Sequence, residues 1–119
     1  MQAKLYMLLI LTLLSGLFLI SCEKDPIPQD LISEEEMAEI LFDFHLAGSF
    51  VDQQNEPYQT QQVMKQELID GVLKERQLSR ERFYESYTYY VAHPVMLDSI
   101  YERVFYKTGD LQTEYNLRP

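Results

Sequence analysis

The feature that most constrains folding is an apolar run from Leu5 to Ile20, LYMLLILTLLSGLFLI, broken only by Thr12, Ser15 and Gly16. One cation, Lys4, precedes it, and the polar stretch Ser21-Cys22-Glu23-Lys24-Asp25 ends it. A charged start followed by a short apolar stretch has the form of an export leader. The run also falls short of the roughly 20 apolar residues that a spanning helix uses. Residues 1–21 therefore read as a signal peptide, and only the chain from Cys22 onward is left to build a core.

The boundary Leu19-Ile20-Ser21-Cys22 resembles the bacterial lipobox: an aliphatic residue, a small residue, then cysteine. The resemblance implies a diacylglycerol on the Cys22 thiol, cleavage between Ser21 and Cys22, and an N-acyl chain where the new amino group is modified. Cys22 is the only cysteine, so no partner exists for an intramolecular disulfide, and acylation would consume the stray thiol. One acyl chain binds a membrane marginally, whereas two or three hold it durably. The expected product is a lipoprotein of the bacterial cell envelope, on the outer membrane and facing the periplasm, with these lipids as its only added groups.

Loss of Lys4 with the leader moves the formal charge from −9 to −10. Without a basic stripe, an acidic chain of this kind excludes nucleic acid as a partner. Residues 22–32 read as the lipidated N-terminus and an extended tether. Pro26 and Pro28 make it semi-rigid, at about 3.1 Å per residue, so that the folded part stands about 20–30 Å off the lipid.

Residues 33–108 carry the pattern of an all-α domain, a small antiparallel bundle of about four helices. Ser33 followed by Glu34-Glu35-Glu36 has the form of a capping box. Met37, Ile40, Leu41, Phe44, Ala47 and Val51 then repeat at the three-and-four spacing of one buried face, giving a first helix over 34–51. A loop around Pro57 leads to a second helix over 60–76, with Met64, Leu68 and Val72 in a row. Gly71 weakens it, and a closely approaching neighbour would explain the glycine. Ser79 caps a third helix that must stop near His93, because Pro94 breaks an upstream ladder. Proline suits the first position of the next helix, which is expected over 94–108. There Leu97, Ile100, Tyr101, Val104 and Phe105 face inward, and Gly109 acts as C-cap. Residues 109–119 are set aside as a flexible tail. No segment shows the period-two alternation of a strand.

Several of these residues together resemble a known family. They are the lipobox cysteine, the spacer ending Leu31-Ile32, the helix Met37-x-x-Ile40-Leu41-x-Asp43-x-His45-Leu46-Ala47, and Phe83-x-x-Ser86-x-x-x-Tyr90-x-x-His93-Pro94-x-x-Leu97-x-x-Ile100-Tyr101-x-x-Val104. The family is the Bacteroidetes lipoproteins called domain of unknown function 4296. The resemblance implies the anchor and the fold, and brings no activity or catalytic residues. In one respect the chain departs from it: members often carry glycine in the turn before the third helix, where Gln77-Leu78 stands here.

Candidate chemistry is sparse. His45 and His93 are the only histidines, a zinc site wants three or four ligands, and Asp43 cannot share a helix face with His45. No metal is expected, and His93 reads as a cap on the third helix. Ser86 and Ser99 lack a visible base and orienting acid, and no phosphate loop or small-molecule substrate site is evident. The unusual feature is tyrosine. Positions 83, 87 and 90 share one face and suit a core, whereas Tyr84, Tyr89 and Tyr106, with His93, form a candidate partner-binding patch. The expected function is that of a non-enzymatic envelope adaptor or accessory subunit that binds another protein. A periplasmic chaperone-like module holding extended clients is the alternative, and a small hydrolase ranks third.

Overall fold

The computed structural model describes residues 1–17 and 26–118. Among the described residues there are helices and no strand. The helices are α1 (Gln2–Leu17), α2 (Glu34–Asp52), α3 (Tyr58–Glu75), α4 (Arg80–Val91) and α5 (Pro94–Leu117). The processing point Ser21-Cys22 lies outside the described residues, as do Glu23, Lys24 and Asp25 of the tether. Leu5, Leu8, Leu9 and Leu11 of α1 are exposed. No helix among the described residues is long and apolar enough to cross a membrane.

Local chemistry accounts for most helix ends. Ser33 Oγ accepts from the Glu36 amide at 3.2 Å and the first turn of α2 holds three glutamates, which satisfies an orphan donor and suits the positive end of the dipole. Ser79 Oγ caps α4 in the same way, accepting from the Arg82 amide at 3.1 Å. Pro94 sits in the first turn of α5. α3 begins two residues earlier than its sequence pattern suggested, directly after Pro57, whose φ of −57° presets the helix entry.

The turn between α3 and α4 replaces glycine with Gln77, at φ 56°. The Gln77 amide donates to Lys74 O at 3.0 Å and the Leu78 amide to Leu73 O at 2.9 Å. That is the Schellman pattern, completed by burial of both Leu73 and Leu78 in the core. The left-handed position of this turn is thus carried on glutamine.

Several expectations are corrected. α5 does not stop at Gly109 but runs to Leu117, so residues set aside as a tail are, through Leu117, helix; an interior glycine costs only about 1 kcal/mol. Gly71 admits no close neighbour, since a Cβ there would meet nothing within 4 Å. Phe105 is not inward but 75 % exposed. Ile32, assigned to the tether, is 0 % exposed and belongs to the core with Met37, Ile40, Tyr90 and Ile100.

The helices are not all antiparallel. Ion pairs Lys65–Asp52 and Arg76–Asp43, at 2.6 and 2.5 Å, set α3 antiparallel to α2. α5 runs beside α2 in the same direction: Leu41 and Phe44 border a groove with Tyr101 and Val104, and Ser49 and Gln53 border another with Leu111 and Tyr115. Lys107 pairs with Glu39 and lies 5.6 Å from the Phe42 ring centroid, fastening the two helices on their other side.

Candidate functional site

One groove runs over α4 and another lies between α2 and α5, and a hydrogen-bonded clamp shapes the first. Ile32 carries two backbone polar groups into the interior, where each needs a partner. Its amide donates to Ser86 Oγ at 3.0 Å, and its carbonyl accepts from Tyr90 Oη at 2.5 Å. Arg82 Nε adds a bond to Asp30 O at 2.9 Å. Residues 30–32 are thereby fixed along α4. Burial, first of all, raises the Tyr90 pKa, with the nearby charge of Glu34 contributing, so the hydroxyl stays a donor across the physiological range. Ser86 is 1 % exposed, and its hydroxyl is engaged in this clamp.

Outside the clamp, Pro26 and Pro28 lie across α4 and form a groove of about 580 Å³ with Tyr84, Thr88 and Tyr89. Tyr84 is 53 % exposed. The Tyr89 ring stacks on His93 at 4.1 Å between centroids. His93 Nδ1 donates to Tyr89 O at 2.7 Å, which satisfies one of the last carbonyls of α4 and fulfils the capping role expected of it. Tyr84, Tyr89 and His93 are therefore neighbours on one face.

Tyr106 is elsewhere, on the second and larger groove of about 890 Å³ between α2 and α5. Leu41, Phe44 and Val104 are its partly buried apolar lining, and Phe105 and Tyr106 stand 75 % and 70 % exposed along it. Aromatic contacts tie the lining to the core: Phe44 meets Phe83 edge-on at 5.2 Å, and Phe83 stacks on Tyr87 at 5.9 Å. Tyr87 in turn shares a hydroxyl–hydroxyl hydrogen bond of 3.3 Å with Tyr101. That bond, with some burial, pushes the Tyr101 pKa up to about 12. His45, Asp98 and Glu102 also belong to the lining, and no hydrogen bond joins His45 to either carboxylate.

Among the described residues, no three His, Cys, Asp or Glu side chains converge as metal ligands. What the larger groove offers chemically is apolar contact with an acidic border. Tyr101 and Phe105 were assigned inward by their spacing on α5, so sequence reasoning missed them as surface. The usable clue was their excess: an apolar stripe of Leu97, Ile100, Tyr101, Val104 and Phe105 is wider than one neighbouring helix can cover. The clamp left a fainter trace, a Leu31-Ile32 pair at the end of a polar tether.

No curated protein and no solved structure matches the chain. Residues 28–113, a span that takes in the clamp, the groove between α2 and α5 and all of the α4 groove but Pro26, match the family model described as domain of unknown function (DUF4296), and the chain belongs to that family.

Proposed function

We propose that the chain is a lipoprotein of the bacterial envelope, acylated on Cys22 and facing the periplasm from the outer membrane, and that it works without chemistry of its own as an adaptor or accessory subunit. The observation that supports this reading is the groove between α2 and α5, where Phe105 and Tyr106 stand exposed beside an apolar lining. Contiguous exposed apolar surface commonly marks a site of association, and aromatic side chains dominate the energetics of such sites. A photo-crosslinking residue placed at Phe105 in intact envelopes is expected to capture one dominant protein. No reproducible product across several growth conditions would count against an adaptor.

The same open groove also suits a chaperone-like module that holds extended clients. That reading expects the soluble 23–119 fragment to suppress aggregation of unrelated unfolded proteins, and no suppression at stoichiometric excess removes it. A small hydrolase draws on one observation, the sharing of a groove by His45, Asp98 and Glu102. A His45→Ala variant that preserves the cellular phenotype dismisses it.

A further inference from the structure

We infer that the α4 face bearing Tyr84 and Tyr89 lies against the lipid headgroups, because the leash from the anchor is too short and too firmly pinned to turn that face away. The inference rests on acylation of Cys22. Counted along the sequence, Pro26 is four residues from Cys22, so at about 3.5 Å per residue its Cα lies within about 14 Å of that of the cysteine. Pro26 and Pro28 line the groove with Tyr84 and Tyr89. A tether free through residue 32 would reach about 35 Å and let the bundle reorient. The bonds from Arg82 to Asp30, from Ile32 to Ser86 and from Tyr90 to Ile32 hold residues 30–32, and the seating of Pro26 and Pro28 against Tyr84 and Tyr89 takes up the rest of that slack. The domain therefore stands closer to the lipid than an extended spacer would hold it, and in one orientation.

The exposed groups on this face suit the boundary between headgroups and acyl chains. Ile27 and Tyr84 are exposed there, and tyrosine, apolar in its ring and polar at its tip, concentrates at membrane interfaces. The charged lining residue is Glu85, and Arg82 beside it is engaged with Asp30 O. Apposition of this kind needs no anionic lipid. The far end of α2 is remote from the clamp: the helix starts two residues after Ile32 and has 19 residues, about 28 Å of rise, and Tyr58 follows the loop beyond it.

The chain contains no tryptophan, so single-tryptophan variants report position directly. The acylated protein is reconstituted into phosphatidylcholine vesicles doped with a lipid spin-labelled on its headgroup. The expected result is several-fold stronger quenching for Tyr84→Trp than for Tyr58→Trp, and a fall in the Tyr84→Trp quenching when a flexible Gly-Ser stretch is inserted between Asp25 and Pro26. Vesicle flotation of the same samples separates the two levels of the argument. Protein that fails to float overturns acylation and this orientation together. Protein that floats with both tryptophans quenched alike overturns the orientation alone.

Discussion

Ile32→Ala asks whether the end of the tether is core or leash. The Ile32 side chain is 0 % exposed and packs in the cluster that holds Met37, Ile40, Tyr90 and Ile100. Truncating a fully buried isoleucine to alanine removes its transfer free energy and leaves a cavity, together about 2–5 kcal/mol. The bonds from the Ile32 backbone to Ser86 and Tyr90 survive the change, so the site stays closed and a value near the middle, about 3 kcal/mol, is expected. For a domain of this size that corresponds to a fall in Tm of about 12–24 °C. Urea titration of the leaderless chain, followed by circular dichroism, reads it as a lower midpoint at unchanged slope. Ser86→Ala provides an independent arm: it strands the Ile32 amide in the interior, at about 1–3 kcal/mol. If Ile32→Ala stays within the roughly 0.5 kcal/mol typical of surface substitutions, residues 30–32 are not part of the fold and the reasoning fails.

Gln77→Gly is expected to stabilise the domain, because a non-glycine residue in the left-handed region costs about 1–2 kcal/mol, offset by the greater unfolded-state freedom of glycine. A net gain of roughly 0.5–1 kcal/mol follows, and thermal melting that shows no gain would refute the turn geometry. Gly71→Ala, where a new Cβ meets nothing within 4 Å, should raise stability by up to about 1 kcal/mol; a loss would mean that a neighbour crowds that face. The Tyr101 pKa near 12 lies above the ordinary tyrosine value of about 10, so the folded state holds the proton more tightly. The stability this contributes is complete below about pH 10 and is lost as pH rises toward 12. An alkaline absorbance titration should show late tyrosine ionisation beyond that of buried Tyr90, whose pKa is also raised, and the part near pH 12 should be lost in Tyr101→Phe. A curve that the substitution leaves unchanged contradicts the hydrogen-bonded pair.

Helix identities were legible in the sequence because their determinants are local. Ser33, Ser79 and Pro94 act within a turn of where they stand, and the three-and-four repeats mark a buried face whatever covers it. The structure departs from sequence expectation where distant residues decide. Nothing near Ile32 announces that Ser86 and Tyr90 will receive its amide and carbonyl. Nothing near Phe105 tells that α2 shields Ile100 and leaves the next turn open. Gln77 is an instructive middle case: local propensity argued against a left-handed residue there, and burial of Leu73 and Leu78 on either side of the turn outweighed it. The candidate tyrosines divided for the same reason, since helix phase set Tyr84 and Tyr89 apart from the buried face of 83, 87 and 90 but could relate neither to Tyr106, nor foresee the prolines that join them in one groove.

The burial of Ile32 and Ile100 in a single cluster also sets a timetable for folding. Synthesis delivers the first of these residues early and the second only near the end, and contacts so far apart along the chain reward closure late. Until α5 emerges, Met37, Ile40 and Ile32 lack one wall of their enclosure, and no shorter piece of the chain can seal it. On the export route proposed above, such a polypeptide would stay open while it is threaded across the membrane from its N-terminus, and products cut short before α5 would present their interior to proteases.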